Sequence, residues 1–332
     1  MIEGFGPATI RAHLATIRSD ARSIDDGIPA GAFQRARSSA LDSLALAARA
    51  GARLLVDGDA DYPESLHALE HPPVALWVLG DIGVVRGYPT VSIVGTRDCT
   101  PYGERVTREI SGTLARAGAT IVSGMARGID AMAHRAALEV GGRTAAVLGT
   151  GVDVPYPASH RALHRQIRDS GVVLSESPPG THASPGCFPQ RNRIIAALGA
   201  ATIVVEAGVK SGALITAEQV KAINRDLGVI PGPIDSPTSV GSNELMRDGA
   251  HPITCVADAL ALVGLSQPRP AKARLESPTE RTVWTALARP AADFDVLCAR
   301  SGLPARTCFE VVTALELRGL VECSLTGEVR RR

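Results

Sequence analysis

Basic, hydroxyl-bearing and glycine residues follow several short apolar runs in this sequence, at the points where each run stops. Guanidinium, ammonium and hydroxyl groups, together with backbone N–H groups, suit a run of phosphates better than a single small group. A phenylalanine beside them either stacks on an unpaired base or packs as an ordinary core residue. The residues predicted to form this phosphate-binding site are Gly95, Thr96, Arg97, Ser123, Gly124, Arg127, Phe188, Arg191, Asn192, Arg193, Lys210, Ser211 and Gly212.

Carboxylates near the same points are weaker candidates for chemistry. Asp130 stands where an acid caps a helix N-terminus, whereas Glu176 and Glu206 stand at predicted strand ends, where a general acid or base could be placed. His134 lies one helical turn beyond Asp130, a spacing typical of a packed or pairing side chain. No metal-binding acid cluster, activated Ser-His pair or Walker lysine accompanies them. The sequence therefore predicts no catalytic residue, no metal and no cofactor.

Alternating strands and helices are the elements that must position these residues. Residues 91–94 and 120–122 are apolar runs, and each leads through a glycine-bearing turn into a segment with helical spacing. Because the pattern recurs about six times, the predicted fold class is α/β, with a doubly wound, Rossmann-like parallel sheet. Ligands bind beyond the carboxyl ends of such strands. The missing G-x-G-x-x-G fingerprint disfavours a nicotinamide dehydrogenase.

Composition divides the chain into four parts. We predict a small helical N-terminal module at residues 1–80, the Rossmann-like core at 81–264, a linker at 265–278 and a winged helix at 279–332. Residues 4–10 are either an ordinary helix start or the second half of a helix-hairpin-helix unit. In the second case the first helix of that unit is absent, as expected if the start of the sequence is assigned too far downstream. The winged helix, nearly balanced in charge, suits DNA and protein contacts equally.

Charge and cysteine content exclude several classes of protein. The formal net charge of +1 means that any nucleic-acid site must be a local patch. Arginine greatly outnumbers lysine, a bias that either genome base composition or phosphate recognition explains. The six cysteines show no C-x-x-C pair and no histidine at metal-ligand spacing, so neither disulfides nor zinc are indicated. Without a signal pattern or a membrane-spanning run, we expect a cytoplasmic protein.

Residues 60–260 also carry an ordered set of short motifs. They are Ile93-Val94-Gly95-Thr96-Arg97 with Tyr102-Gly103, Ser123-Gly124-Met125-Ala126-Arg127-Gly128-Ile129-Asp130 with Ala133-His134, Tyr156-Pro157, Ser175-Glu176, Phe188-Pro189-Gln190-Arg191-Asn192-Arg193-Ile194-Ile195, Glu206-Ala207 with Ser211-Gly212 and Thr216-Ala217, and Pro231-Gly232 with Gly249-Ala250. This set resembles the DNA-processing protein A family, also called DprA or Smf. The predicted winged helix and the partial N-terminal hairpin also look like accessory domains of that family.

The resemblance implies a non-enzymatic recombination mediator. Such a protein has a Rossmann-like core that dimerises, binds and protects incoming single-stranded DNA, and loads the RecA recombinase onto it during natural transformation. By the same resemblance, the strand-binding pocket would be lined by Arg97, Arg127, Arg191, Asn192, Arg193, Lys210 and Ser211. Thr96 stands where the family more often has serine, and the hydroxyl is retained. The missing first helix leaves the function of the N-terminal hairpin open.

Two other functions stay open at this point. One is a nucleotide-processing enzyme, since the fold also resembles nucleoside-monophosphate phosphoribohydrolases of the lysine-decarboxylase-like family. The hallmark P-G-G-x-G-T loop of that family is absent, and Lys210-Ser211-Gly212-Ala213 stands in its place. The other is a nucleotide sensor whose winged helix binds a specific duplex sequence. These alternatives predict, respectively, release of free base from nucleoside monophosphates and duplex binding that depends on residues 279–332.

Overall fold

The structure of the chain is a computed structural model that describes residues 30–184, 186–266 and 275–331, apart from residues 276, 290, 292, 319, 325 and 326. Two units are distinguished, Met1–Gln267 and Pro268–Arg332. The glycine hairpin predicted at residues 4–10 lies outside the described residues. Residues 267–274 of the predicted linker lie outside them as well. None of the helices formed by the described residues combines the length and the apolar character that a membrane crossing requires.

Strands and helices alternate along the first unit, as the apolar periodicity predicts. Its described strands are β1 (Arg53–Val56), β2 (Ala75–Gly80), β3 (Thr90–Val94), β4 (Thr120–Ser123), β5 (Arg143–Leu148), β6 (Val172–Ser175), β7 (Ala201–Val204), β8 (Asp226–Val229) and β9 (His251–Pro252). Its described helices are α1 (Ala30–Ala50), α2 (Pro101–Arg116), α3 (Ile129–Glu139), α4 (Arg161–Ser170), α5 (Cys187–Leu198), α6 (Gly212–Ala222), α7 (Val240–Arg247) and α8 (Val256–Ala261). Short 3-10 turns cover Glu64–Ala68, Ile82–Val85 and Ala158–His160.

All nine of these strands join one sheet in the order β1-β2-β6-β5-β4-β3-β7-β8-β9. Strands β3 to β9 are parallel to one another, whereas β2 pairs antiparallel with β6 and β1 antiparallel with β2. The Rossmann-like class is confirmed. The predicted boundary at residue 80 is wrong, because β1 and β2 extend the edge of this sheet and belong to the same unit as the core.

The order of connection reverses beside β3. Strand β3 is hydrogen-bonded to β4, the next strand in the chain, on one side and to β7 on the other. In a doubly wound sheet the crevice at such a reversal, beyond the carboxyl ends of the strands, is the usual ligand site. The turns that follow β3 and β7 therefore face each other across an opening.

Burial on both faces explains why the central strands read as continuous apolar runs. Alternate residues of β3 point to opposite faces, so Ile93 packs with the side chains of α2 and α3 and Val94 with those of α5. The buried hydroxyl of Ser92 donates to the carbonyl of Ile195 at 2.7 Å. The hydroxyl of Thr90 donates to the carbonyl of Leu198 at the same distance. Both bonds tie β3 to the end of α5.

The second unit is a winged helix, which confirms the prediction. Its described elements are α9 (Pro278–Ala286), α10 (Phe294–Ser301), α11 (Ala305–Leu317), β10 (Val321–Cys323) and β11 (Val329–Arg331). The two strands form an antiparallel hairpin. Asp293 caps α10, since its carboxylate accepts the N–H of Val296 at 2.8 Å. Val283, Leu297 and Leu315, one from each helix, are fully buried together.

Leu114→Ala is expected to lower the free energy of unfolding of the first unit by about 3 kcal/mol, because the fully buried Leu114 would leave a cavity beneath α2. The measurement is urea denaturation followed by the fluorescence of Trp77, in a Trp284→Phe background that removes the other of the two tryptophans. As the control, Leu41→Ala truncates a side chain that is 56 % exposed and should change the stability by less than about 0.5 kcal/mol. Equal effects of the two substitutions would contradict this assignment of the core.

Candidate nucleic-acid interface

A cavity of about 530 Å³ opens where the turns after β3 and β7 meet the first turns of α5. It contains nine of the predicted residues. These are Gly95, Thr96, Arg97, Phe188, Arg191, Asn192, Lys210, Ser211 and Gly212. The first cavity thus lies at the reversal beside β3, as expected for a doubly wound sheet.

Glycine allows the turn after β3 to pack against the start of α3. Gly128 adopts a φ of 74°, in the left-handed region, and a side chain there would meet the backbone of Thr96 and Arg97. This close approach lets the N–H of Ile129 donate to the carbonyl of Thr96 at 3.2 Å. The Thr96 hydroxyl accepts the N–H of Asp98 at 3.2 Å. The turn that carries Arg97 is therefore held by backbone and hydroxyl contacts.

The start of α6 forms the opposite wall of the first cavity. Ser211 caps this helix, since its hydroxyl accepts the N–H of Ala213 at 3.3 Å. The Asn192 amide donates to the carbonyl of Gly212 at 3.3 Å, which links α5 to the same turn. Lys210 is exposed at this rim. A helix N-terminus with a lysine beside it favours an anion.

A second cavity, of about 360 Å³, adjoins the first and shares Arg97, Phe188 and Arg191 with it. Gly124 and Arg127, from the turn after β4, line the second cavity. The guanidinium carbon of Arg97 lies 5.4 Å from the centre of the Phe188 ring, within cation–π range. Arg97 and Phe188 together form the partition between the two cavities.

Three of these basic residues are free to meet an anion. Arg97, Arg127 and Lys210 are exposed, and within the described ranges none of them forms an ion pair or donates a hydrogen bond to another residue. Arg97 and Arg127 follow adjacent strands, and Lys210 follows β7 on the other side of β3. The arrangement is a row of three cations along the carboxyl edge of the sheet.

Arg191 differs from these three because it is buried, with 6 % of its surface exposed. Its Nη1 donates to the carbonyl of Gly124 at 2.7 Å and to that of Val147. Burial lowers the pKa of Arg191 to about 10, although the nearby Asp130 opposes this shift. The residue therefore stays charged at neutral pH and forms the floor of both cavities.

Asp130 lies in the first turn of α3, but it binds the turn after β4 and does not cap the helix as the sequence predicts; Gly128 is the N-cap residue. Its Oδ2 accepts the N–H groups of Gly124 at 3.2 Å and of Ala126 at 3.4 Å. Burial raises the pKa of Asp130, and the positive charge of Arg191 opposes the rise. The carboxylate thus fixes the loop between β4 and α3 that carries Arg127.

Two predicted residues do not line either cavity. Ser123 is fully buried, and its hydroxyl donates to the carbonyl of Ile93 at 2.6 Å, which ties β4 to β3. Arg193 pairs with Glu176 at 2.5 Å and donates to the carbonyl of His71 at 2.9 Å. Arg193 follows Arg191 by two residues in α5, so its side chain leaves the helix about 200° away from that of Arg191. It therefore forms a structural ion pair away from the cavities.

The carboxylates considered for catalysis are likewise engaged in structure. Glu206 has 2 % of its surface exposed; its Oε1 accepts the Thr100 hydroxyl at 2.5 Å and its Oε2 accepts the Thr100 N–H at 3.0 Å. It thus holds the start of α2 and does not line the first or second cavity. Glu176 is paired with Arg193. Among the described residues, no group of three or more acidic, histidine or cysteine side chains is placed to hold a metal ion.

An aromatic lining residue is missing from the sequence predictions. Tyr156 follows β5 and lines the second cavity, where its ring lies 5.0 Å from that of Phe188, at an angle of 36°. The signal that could have found it is its position. Tyr156-Pro157 lies in the turn after a predicted strand, as the chosen residues do.

Two family models match the chain. The model described as DNA recombination-mediator protein A matches residues 53–264, and the model described as DprA winged helix domain matches residues 267–324. The first match includes β1 and β2, in agreement with their place in the sheet. It covers all the residues that line the first and second cavities.

The chain is also similar to proteins from several bacteria. It is 39 % identical to a putative DNA processing protein DprA of Mycobacterium tuberculosis, over 86 % of this chain and 78 % of that protein. The solved structure of DNA processing protein A from Streptococcus pneumoniae covers 80 % of this chain and 96 % of its own, with a TM-score of 0.70 and 34 % identity. A structure of DNA processing protein A from Helicobacter pylori, described for its single-stranded DNA binding mode, covers 62 % of this chain and 92 % of its own, with a TM-score of 0.57 and 31 % identity.

His134 lies behind this interface and is fully buried. Its Nδ1 shares a hydrogen bond of 2.6 Å with the Thr144 hydroxyl, and in the described part of the chain its Nε2 has no partner. Burial, reinforced by the positive charge of Arg191, lowers the pKa of His134 to about 3. The imidazole is therefore neutral in the folded chain and acts as a packed side chain, as the sequence predicts.

The depressed pKa of His134 makes stability depend on pH. Above about pH 6.5 neither the folded nor the unfolded chain protonates this residue, and as the pH falls toward 3 only the unfolded chain gains the proton. We expect the free energy of unfolding to fall by up to about 1.4 kcal/mol per pH unit below 6.5 from this residue. Asp130 titrates with the opposite sign, so the comparison is with His134→Gln, which retains Asp130. Urea denaturation of both proteins at pH 7, 6 and 5 gives the free energy of unfolding at each pH. An equal fall with pH in wild type and in His134→Gln would refute the assignment.

Proposed function

Because the chain belongs to the DNA recombination-mediator protein A family, we propose that it binds single-stranded DNA along the carboxyl edge of its sheet. The observation that carries the proposal is the row of three exposed cations, Arg97, Arg127 and Lys210, with the Phe188 ring against Arg97. Their placement along one edge of the sheet suits a run of phosphates, and the aromatic ring suits an unpaired base. The Helicobacter pylori relative, described for binding single-stranded DNA, supports the same substrate.

We assign the strand contacts to the accessible members of the predicted site. In this proposal Arg97, Arg127 and Lys210 neutralise phosphates, while Thr96 and Ser211 offer hydroxyls. Gly95, Gly124 and Gly212 bring the backbone close to the strand. Arg191 supports the floor of both cavities, and Asn192 supports the wall that the start of α6 forms in the first cavity. Ser123 and Arg193 are not assigned a strand contact, because their polar groups are engaged in the fold.

The wider role that we propose is that of a mediator acting in the cytoplasm. The chain would form a homodimer through its core, protect incoming single-stranded DNA and load the RecA recombinase onto it during natural transformation. Membership of a recombination-mediator family supports this role. The proposal involves binding and no catalysis, which accords with the engagement of Glu176 and Glu206 in the fold.

Arg97→Ala, Arg127→Ala and Lys210→Ala are each expected to weaken binding of a labelled poly-thymidine strand roughly tenfold at about 0.1 M salt. The loss should be similar for strands of other sequence, because phosphate contacts do not depend on the base. Each substitution should also make the dependence of log affinity on log salt concentration shallower by about 0.7. Fluorescence anisotropy of wild type and variants across a salt series measures both quantities.

The matched control for these variants is Arg86→Ala. Arg86 is an exposed arginine near the amino end of β3, and it is paired with Asp61 at 2.6 Å. Its removal should leave affinity and salt slope unchanged within experimental error. Equal losses of affinity in the three site variants and in Arg86→Ala would mean that binding follows the overall charge of the chain. Unchanged affinity in Arg97→Ala would refute the proposed strand-binding site.

The mediator role has a separate test. On a strand coated with a bacterial single-stranded DNA-binding protein, the chain is expected to shorten the lag before RecA hydrolyses ATP, because it would deliver RecA past the coating. Arg97→Ala should lose this effect in parallel with its loss of strand binding, whereas Arg86→Ala should retain it. If wild type at saturating strand occupancy leaves the lag unchanged, RecA loading is refuted while strand binding stands.

A further inference from the structure

The binding edge continues beyond the second cavity. A third cavity, of about 660 Å³, is lined by Asp153, Tyr156, Pro157, Arg161 and His182, among others. Tyr156 and Pro157 also line the second cavity, so the two cavities adjoin at this pair, just as Arg97 and Phe188 separate the first from the second. Three adjoining cavities thus follow the carboxyl edge of the sheet.

Tyr156 is the more accessible ring of the aromatic pair. Its exposed fraction is 42 %, whereas Phe188 is half-buried and already has two neighbours, the Arg97 guanidinium at 5.4 Å and the Tyr156 ring at 5.0 Å. Phe188 therefore supports the Tyr156 ring from within. A base that enters from solvent can cover the Tyr156 ring without displacing either contact.

The charges around Tyr156 suit a strand that passes over it. Arg127 lines the second cavity together with Tyr156, and Arg161, at the start of α4, lines the third cavity together with Tyr156. Both are exposed, and neither forms an ion pair within the described part of the chain. Asp153 also lines the third cavity, but its carboxylate accepts the N–H of Gly180 at 2.8 Å. An aromatic ring that lines two adjoining cavities, each with an exposed arginine in its lining, suits a base flanked by its phosphates.

We propose that Tyr156 is a base-stacking platform of the single-stranded DNA site and that the strand continues past it toward Arg161. This inference rests on the proposed function, because it extends the same edge. Stacking on a ring face is available to every base, so this contact adds affinity without sequence preference. The bound strand would then occupy the second and third cavities as well as the first.

The test compares a poly-thymidine strand with an abasic strand of equal length that keeps the sugar-phosphate backbone. Wild type should bind the thymidine strand more tightly, because only that strand can stack. Tyr156→Ala should weaken binding of the thymidine strand roughly tenfold and leave binding of the abasic strand unchanged. Tyr156→Phe keeps the ring and should bind both strands as wild type does. Anisotropy titrations of the full chain measure all these affinities.

Tyr88→Ala is the control for loss of an exposed tyrosine, since Tyr88 is 46 % exposed and precedes β3 at the opposite edge of the sheet. It should bind both strands as wild type does. Equal losses for the thymidine and abasic strands in Tyr156→Ala would overturn the stacking role, as would unchanged binding of both. If wild type binds neither strand, the proposed function itself fails.

Arg161→Ala should weaken binding of the thymidine strand and of the abasic strand alike. Unchanged affinity for both strands would overturn the proposed path of the strand toward α4.

Discussion

The buried guanidinium of Arg191 is the interaction on which the binding edge depends. It joins the ends of β4 and β5 through the carbonyls of Gly124 and Val147. A buried cation is costly unless its donors are satisfied, and here carbonyls and the nearby carboxylate of Asp130 offset that cost. The same contact explains the glycine at position 124, because a side chain there would come within 2.5 Å of the guanidinium. One residue of α5 thereby holds the turn that carries Arg127.

Much of the fold could be predicted from the sequence, because central parallel strands are buried on both faces and therefore read as short apolar runs. The runs at β3 and β4 are found where they were expected, and so is the winged helix. The exposed cations could be predicted for a related reason. Arg97, Arg127 and Lys210 lie three, four and six residues beyond the ends of β3, β4 and β7, so the position of each strand places the side chain near the carboxyl edge. The end of a strand can be recognised in the sequence where the apolar run stops, without any knowledge of contacts between distant segments.

Contacts between distant segments explain what could not be predicted. The pairing of β2 with β6 joins residues about a hundred positions apart, and no local pattern shows it. For Arg191 and Arg193 the deciding quantity is the phase of α5, which begins at Cys187. Once the helix includes both arginines, they cannot point into the same cavity, since consecutive residues are about 100° apart. Thus Arg191 forms the floor while Arg193 turns to Glu176.

The distribution of charge, more than its sum, makes a nearly neutral chain suitable for binding phosphate. Away from the binding edge, several arginines are matched with acids: Arg53 and Arg86 both pair with Asp61, and Arg108 pairs with Glu139. The Debye length at physiological salt is about 8 Å, so distant matched pairs contribute little to the potential within the cavities. That potential is set by the unpaired cations at the rim and by the helix N-termini that open there. A net charge of +1 is therefore compatible with a strongly anion-attracting edge.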